Sequence, residues 1–433
     1  MDESESKNEK PKEERRFDPE LLKKGLRCDQ EQYDMLKRCS DKKDMTEWNE
    51  WRKANPEEEI LLEGMDLIKS NLDDVNLSSA HLENSKLRGS YLKHADFENA
   101  HLESADLSLA HLDCADLAEA HLEKSRLSHA FIRYSTLEKA HLEGSDLTNA
   151  HLEGAALNGA NLTRASLKDA DLQRATLEES CLKEADLSHA HLEHVDLIWA
   201  NLKNANLFGA HLENAHVISA DLRKAMLSNA HLQGADFGPE LGKTRLEGAF
   251  FENAIMNGST LIWHCSVDRC TNFQGVGLDS ARIDTGTKQL LEYNIRRNNW
   301  DDWYKEHCLL RWPVWLFWLI SDYGLRTWRV IATFFGLAIA FGVVYWLCPS
   351  CVMVNDVVGD IRGFWHALYF SVVTMTTLGF GDIAANPDSW GGQTLLMLQV
   401  ILGYVLLGAL VTRFAVLFTA GGPAGKFSKE KKE

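Results

Sequence analysis

The stretch AHLESADLSLAHLDCADLAE, residues 100–119, has a leucine at every fifth position. The same spacing runs without a gap from Leu62 to Phe237 and gives 36 consecutive units of five residues, each with an apolar residue at this position. From Ala80 onward, the residue two places earlier is Ala or Ser in every unit except that of Val195. A period of five matches neither the 3.6-residue turn of an α-helix nor the two-residue period of a strand. The repeat itself must therefore define the fold.

A coil with four such units per turn gives each position a physical reason. The leucine points into the coil, the small residue packs at the tight corner, and the other three positions face water. The 36 units would then make about nine turns, which stand roughly 43 Å tall at the spacing of neighbouring strands. The stretch resembles the pentapeptide-repeat family, whose A-(D/N)-L-x-x pattern occurs at residues 105–107 and 185–187. The resemblance implies a multidomain protein with a right-handed quadrilateral β-helix, a β-solenoid, over residues 60–285.

Other segments lie before, within and after this repeat. Gly-Pro-Glu-Leu-Gly at residues 238–242 breaks the register, which resumes one residue early at Leu246, so we expect a loop there. Residues 1–59 are expected to form a charged tail and a short helical cap. Residues 286–325 are expected to form a helical linker and an interfacial helix. Six of the thirteen tryptophans lie in or beside this last segment, which is typical of an aromatic belt at a membrane surface.

Residues 309–420 contain nearly all the long apolar stretches of the chain. Val330–Cys348 has nineteen residues without a charge, close to the length needed to cross a bilayer. Leu395–Thr412 is a second stretch of this kind. Between them, Phe364–Thr376 is apolar but only thirteen residues long, about 20 Å as a helix, so it enters a bilayer without crossing it. The pattern predicts an all-α module of two membrane spans and a re-entrant pore helix within residues 326–420.

The short apolar segment runs directly into a glycine-containing string, Thr376-Thr377-Leu378-Gly379-Phe380-Gly381-Asp382. An isolated ion loses solvation free energy on the order of tens of kcal/mol when it leaves water for hydrocarbon. Rings of backbone carbonyl oxygens replace the lost hydration shell, and glycines allow successive carbonyls to face one axis. Irregular backbone at membrane depth must line a watery cavity or be buried in protein. Four copies of the chain facing each other would meet that condition.

Residues 326–420 are similar to the pore module of two-transmembrane potassium channels. The resemblance implies a homotetramer in a lipid bilayer, with residues 376–382 as the ion selectivity filter. It also implies that K⁺ binds the main-chain oxygens of Thr377, Leu378, Gly379 and Phe380. The string has Leu where Val is commoner and Phe where Tyr is commoner, which affects filter rigidity more than the preference for K⁺.

The second span contains two glycines, Gly403 and Gly408, five residues apart. By the same resemblance they are a candidate gating hinge, because the inner helices of such channels bend at glycine. Small residues also let membrane helices approach one another closely. Hinge and packing roles therefore both remain open.

The charged residues of the chain predict what it binds and where it lies. The formal net charge of −17 is opposite to that of a nucleic-acid-binding surface, so no nucleic acid partner is expected. The start, MDESESKNEKPKEERR, is charged and lacks the apolar segment of a secretory signal. Arg329 precedes the first span, and Arg413 and the basic tail at residues 421–433 follow the second. The positive-inside rule then predicts a multi-pass protein of the cell membrane with both termini in the cytoplasm.

The combined pattern favours a potassium-selective channel whose cytoplasmic repeat domain regulates or tethers it, through a partner that the sequence does not name. No cofactor is expected besides the permeant K⁺, and no nucleophile–base pattern indicates an enzyme. The alternative is a membrane-anchored pentapeptide-repeat interaction protein, a DNA mimic or scaffold, in which conduction is secondary.

Histidines precede the central leucine in two sets whose members are spaced by multiples of twenty residues, and most have a glutamate two residues later. One set is His81, His101, His121 and His141, and the other is His111, His151, His191, His211 and His231. A twenty-residue turn would stack each set in a column, on opposite sides of the coil. A surface that senses pH through stacked imidazoles and a solvated face left by duplication of a ten-residue unit both remain open.

Overall fold

The computed structural model describes residues 16–238, 242–306, 327–354, 357–358, 363–376 and 383–419. The chain divides into two compact units, residues 1–295 and 296–433. The first unit begins with helices α1 (Pro19–Leu22), α2 (Gln30–Lys42) and α3 (Thr46–Ala54).

After the repeat, the first unit contains two short parallel strands, β1 (Leu261–Ile262) and β2 (Arg282–Ile283), with a 3₁₀ turn, Leu278–Ser280, between them. Helix α4 (Thr285–Glu306) begins in the first unit and ends in the second. The second unit then has helices α5 (Thr327–Leu347), α6 (Phe364–Met375) and α7 (Trp390–Thr419). A 3₁₀ turn, Pro349–Cys351, follows α5, and the strands β3 (Val352–Val354), β4 (Val357–Val358) and β5 (Ile383–Ala385) form an antiparallel sheet in the order β4-β3-β5.

The repeat folds into a solenoid in which one coil takes twenty residues. Parallel bridges join residues twenty apart, from Leu61 with His81 to His216 with Asp236. The central apolar residue of each unit is at most 2% exposed from Leu62 to Phe237. The prediction of four five-residue units per coil and an inward leucine is confirmed. The right-handed sense of the coil stays a prediction.

Backbone hydrogen bonds explain why each unit has five residues. The N–H of Leu102 donates to the carbonyl of His121 (2.7 Å), and the N–H of Ser104 donates to that of Glu123 (3.0 Å). Ala105 closes the turn by donating back to the Leu102 carbonyl (3.0 Å). Ser104, the third residue of this turn, has φ 58°, and the equivalent residue of nearly every unit is left-handed as well. The structure therefore holds many non-glycine residues in a conformation that costs energy locally, because the ladder on both sides of each turn fixes it.

The acidic residue before many of the leucines completes this pattern. The Asp116 carboxylate accepts a hydrogen bond from the backbone N–H of Ala118 (3.0 Å), two residues later. Asp96, Asp106, Asp146, Asp171, Asp186 and Asp196 do the same. An Asp or Asn at this position thus satisfies an N–H that the coil-to-coil ladder leaves over.

The first coil has no coil before it, so its backbone donors need other partners. Side chains of α2 and α3, and of the residues next to them, supply these. Gln32 accepts from the N–H of Leu61, Ser40 from that of Asn71, and Asn49 from that of Asn76, each at 2.9 Å. The buried Trp48 donates its indole N–H to the Asn76 carbonyl (2.7 Å). This helical cap covers an edge that would otherwise be open to association, as end caps do in repeat proteins.

The coil continues after the break in register. Asp221 pairs with Arg245 and Met226 with Phe250, so this turn is four residues longer than the others. Leu246 and Phe251 are fully buried and continue the row of inward residues, as the early resumption predicts. Residues 239–241, inside the predicted loop, lie outside the described residues.

In the second unit, α5, α6 and α7 pack on one another. Trp328–Leu347 of α5 and Trp390–Gly408 of α7 are long and apolar enough to cross a membrane. Only 28% and 22% of these apolar windows are buried, whereas a core helix of a soluble protein would be mostly buried. Large exposed side chains such as Phe335, Ile339 and Ile401 give these helices an apolar outer surface that suits lipid or further subunits.

Candidate functional site

The segment predicted to be a pore helix forms a helix, α6, twelve residues long, and its re-entry into a membrane stays a prediction. It ends at Thr376, whose N–H donates to the Val372 carbonyl (3.0 Å). The Thr376 hydroxyl also lies within hydrogen-bonding distance of the Val372 carbonyl (3.0 Å) and the Val373 carbonyl (3.1 Å). Of the predicted filter, Thr376 is therefore fixed at the carboxyl end of a helix. The other six residues (Thr377, Leu378, Gly379, Phe380, Gly381 and Asp382) lie outside the described residues, and the filter stays a prediction.

A buried polar network joins the helices α5, α6 and α7. The Tyr345 hydroxyl on α5 donates to Oε1 of Gln399 on α7 (2.7 Å). Nε2 of Gln399 donates to the carbonyl oxygen (2.9 Å) and to the hydroxyl oxygen (2.7 Å) of Ser371 on α6. The Ser371 hydroxyl donates to the Ala338 carbonyl on α5 (2.7 Å).

The side chains of this network, Tyr345, Ser371 and Gln399, have no exposed surface. Buried polar groups without partners are costly, so the network specifies one register of α6 against the two long helices. That register in turn fixes the position of Thr376 along the two long helices. Sequence reasoning missed the network, although Gln399 is a polar residue within an apolar span, and such residues commonly mark structure or function.

The two candidate hinge glycines differ in their surroundings. A methyl group on Gly403 would overlap the Met375 carbonyl oxygen and come within 2.8 Å of the Met375 Cα. A methyl group on Gly408 would meet nothing within 4 Å. Gly403 therefore has a packing role, because it lets α7 approach the carboxyl end of α6. The hinge role of both glycines stays a prediction.

The sheet β4-β3-β5 links the segment after α5 to the segment after the predicted filter. Val354 of β3 pairs with Ile383, the first residue of β5, and Val352 pairs with Ala385. The Asn386 side chain donates to the Ser350 carbonyl (2.9 Å), and its backbone N–H donates to the Cys351 carbonyl (3.0 Å). The segment after α5 and the segment after the predicted filter are thus held together by strand pairing and by Asn386. Cys348 and Cys351 are free thiols.

The histidine columns form, with one correction. His81, His101, His121 and His141 stack ring on ring with centroids 4.7 Å apart, and we call them the four-histidine column. His191, His211 and His231 also follow one another at 4.9 and 4.4 Å, and we call them the three-histidine column. His111 and His151 lie on the same side of the coil as these three, as expected, but neither stacks on another histidine. Phe131 lies between them, Tyr91 lies on the other face of His111, and Asp171 stands between His151 and His191.

Comparisons with known proteins match the solenoid and the helices of the second unit to two different families. The family model described as "Ion channel" matches residues 329–420, and the model described as "Pentapeptide repeats" matches eight copies between residues 59 and 238. Over 99 residues the chain is 36% identical to Two-pore potassium channel 1 of Arabidopsis thaliana. That match takes in 22% of this chain and 25% of the relative, so this chain spans about a quarter of the relative's length.

Among solved structures, the chain is similar to HetL, a pentapeptide repeat protein involved in heterocyst differentiation regulation from the cyanobacterium Nostoc sp. strain PCC 7120. The two are 33% identical, with 51% of this chain and 93% of HetL covered and a TM-score of 0.45. The family matches and the two exposed apolar helices lead to one conclusion. The chain is a membrane protein in which pentapeptide repeats, at residues 59–238, are joined to an ion-channel domain, at residues 329–420.

Proposed function

We propose that the protein is a potassium-selective channel, with residues 376–382 as its filter and four chains around one pore. The observation that carries the proposal is the position of the Thr-Thr-Leu-Gly-Phe-Gly string. It follows directly on a twelve-residue helix packed between two helices long enough to span a membrane.

Two physical effects would favour a cation at this place. The carboxyl end of α6 carries the partial negative charge of the helix dipole. Backbone carbonyls of residues 377–380, contributed by four chains, would replace water around K⁺. The network of Tyr345, Ser371 and Gln399 would hold the four helix ends at equal height, which a ring of ligands requires.

The solenoid would lie in the cytoplasm and regulate or tether the pore through residues 286–325. Its proposed location follows from the basic residues that flank the spans. Its helical cap and satisfied ladder make it a self-contained body, which suits a domain that binds a partner away from the bilayer.

The direct test is ion flux from purified full-length protein in liposomes, under K⁺ or Na⁺ gradients. We expect K⁺ flux to exceed Na⁺ flux, and Gly379→Ala to remove the selectivity or the flux. Gly336→Ala is the matched control, because this glycine on α5 is exposed and a methyl group there meets nothing within 4 Å. Equal permeability to both ions would contradict the proposal, and absence of flux would favour a role as an interaction protein.

The proposed orientation has a test of its own. Cys348, at the end of the first span, is exposed, and Cys114 is exposed on the solenoid. In intact cells a membrane-impermeant maleimide should label Cys348 and leave Cys114 unlabelled until the membrane is opened, with Cys348→Ser and Cys114→Ser as the site controls. Labelling of Cys114 in intact cells would place the solenoid outside and refute the orientation.

A further inference from the structure

The histidine columns place imidazoles and carboxylates side by side on the solenoid. In the four-histidine column, Nδ1 of His81 lies 3.0 Å from Oε1 of Glu83, and Nδ1 of His101 lies 3.3 Å from Oε1 of Glu103. The three-histidine column repeats the arrangement, with 3.2 Å between His191 and Glu193. Each coil of a column thus contributes one imidazole nitrogen and one carboxylate oxygen, both of them potential metal ligands.

The best-formed group lies at the end of the three-histidine column. Oε1 of Glu213 is 3.4 Å from Nδ1 of His211 and 3.4 Å from Nδ1 of His231. His231 is followed by Gln233 where the other members have a glutamate, so Glu213 is the carboxylate that both imidazoles share. The two rings are also tilted by 33°, whereas the rings of the four-histidine column are parallel to within 4°.

These distances fit the ligand shell of one metal ion. Zinc binds imidazole nitrogen and carboxylate oxygen at about 2.0–2.2 Å in tetrahedral geometry, so two of its ligand atoms lie about 3.4 Å apart. The three donor atoms of His211, Glu213 and His231 all lie within 4.8 Å of one another. The three side chains are 33%, 26% and 34% exposed, so an ion can enter from water and keep a water ligand.

The glutamates have an electrostatic reason to accept a cation. Oε2 of Glu213 is buried and accepts no hydrogen bond from the described residues, and the same holds for Oε2 of Glu83, Glu103, Glu123, Glu143, Glu153 and Glu193. A buried carboxylate oxygen without a partner is costly. A cation bound at the neighbouring Oε1 would offset that cost.

We propose that His211, Glu213 and His231 bind a divalent transition metal ion of the zinc type. The groups His81–Glu83–His101 and His121–Glu123–His141 have the same composition and geometry class. Imidazole with carboxylate suits Zn²⁺ and its neighbours in the first transition row. Each Nδ1 serves one ion, so two groups that share a histidine cannot both be filled in this way, and the four-histidine column holds at most two such ions.

The solenoid also contains a position that should not bind. His111 occupies the same place in its unit, but its ring lies between Tyr91 and Phe131, at 5.0 and 4.8 Å. The carboxylate two residues later, Asp113, is paired with Arg133 (2.8 Å). His111 therefore has neither a second imidazole nor an available acid, and it serves as a matched control.

The test is Zn²⁺ binding to the purified full-length protein by equilibrium dialysis, with Co²⁺ absorption as a report of geometry. The four-histidine column is first changed to asparagine, which fits there because Asn161 and Asn201 occupy the same position in later coils. His191 is changed to asparagine as well, because His191, Glu193 and His211 form a second group that would compete for the ion. In this parent protein, His231→Asn and Glu213→Gln should each weaken binding by about tenfold or more. His111→Asn should leave the affinity unchanged.

Unchanged Zn²⁺ affinity in both variants would overturn the proposal, as would an equal loss in His111→Asn. Thermal unfolding guards against a folding artefact. Without metal the variants should melt at the temperature of the parent, and Zn²⁺ should raise the melting temperature of the parent more than theirs, because only the native site binds. A parent protein whose melting temperature ignores Zn²⁺ would also refute the site.

Discussion

The solenoid and the channel domain reach a fixed structure by opposite means. In the solenoid, one rule repeats through 36 units: an inward leucine, a small corner residue and backbone bonds to the next coil. In the channel domain, a single glutamine joins three helices, and much of the apolar surface of the two long helices is exposed. The first design spreads stability over many similar contacts. The channel domain depends on a few specific contacts among the described residues of its three helices.

The largest effect should come from the core of the solenoid. Leu152, in the middle of the repeat, is fully buried. Leu152→Ala should lower the free energy of unfolding of the solenoid by about 2–5 kcal/mol, because it removes buried apolar atoms and leaves a cavity. Denaturant unfolding followed by circular dichroism measures this.

Glu138→Ala is the control for that experiment, since Glu138 is exposed and its side chain should contribute less than about 0.5 kcal/mol. A loss below about 1 kcal/mol in Leu152→Ala would mean that neighbouring coils collapse onto the gap. The repeat would then be more adaptable than its regular packing indicates.

In the channel domain, the comparable substitution adds a single methyl group. Gly403→Ala should destabilise the packing of α6 on α7 by about 1–3 kcal/mol, because the new Cβ overlaps the Met375 carbonyl. Flux and thermal stability in detergent should both fall. Gly408→Ala should leave stability unchanged or raise it slightly, since the methyl meets nothing within 4 Å and alanine favours the helix.

The same pair of variants separates packing from gating. If Gly408 is a hinge, Gly408→Ala alters channel opening without a loss of stability. If Gly403→Ala is as stable as the unmodified protein, the close approach of α7 to α6 is wrong.

A smaller effect should follow from the polar network. Tyr345→Phe removes the hydroxyl that donates to Gln399 and should cost about 0.6–1.7 kcal/mol, between the average and the maximum measured for such bonds between membrane helices. A double-mutant cycle with Gln399→Met measures the coupling of the two residues. Additive losses would show that the network does not act as a unit.

Much of the solenoid could be predicted from the sequence, because its contacts are local and periodic. The spacing of Leu62 to Phe237 alone gives the inward row and the twenty-residue coil. The capping bonds of Gln32, Ser40 and Asn49 could not be predicted, since they join residues far apart in the chain without any period. The same is true of the bond from Tyr345 to Gln399, fifty-four residues away.

The candidate site shows the same division. The length of α6 follows from the apolar run before Thr376, whereas the registration of that helix depends on Ser371 and Gln399, which no motif marks. The histidine spacing predicts the shared side of the coil correctly but not the ring contacts, because it takes no account of Phe131 and Asp171, which stand between the histidines. Phe131 occupies the place of a histidine and stacks equally well.

The smallest effect lies where the solenoid ends and α4 begins. The Asp284 carboxylate accepts hydrogen bonds from the N–H groups of Thr287, in the first turn of α4 (3.0 Å), and of His264 (2.9 Å). Partial burial works in the opposite direction, but these bonds hold the pKa of Asp284 below its ordinary value. Asp284→Ala should therefore cost about 1 kcal/mol at neutral pH, as loss of a helix cap does.

The pH dependence of that loss has a definite sign. A carboxylate whose pKa is lower in the folded state stabilises the protein above its unfolded pKa, about 3.9, and the contribution is lost as pH falls through the folded pKa. The difference between the unmodified protein and Asp284→Ala should thus be full at pH 7 and shrink below about pH 4. Asp279→Ala is the control, because this side chain is 95% exposed and water screens its pair with Lys288, so its loss should change stability little. A difference that does not change with pH would mean that Asp284 acts by shape alone, and the junction would then follow the packing logic of the solenoid instead of the specific polar contacts of the channel domain.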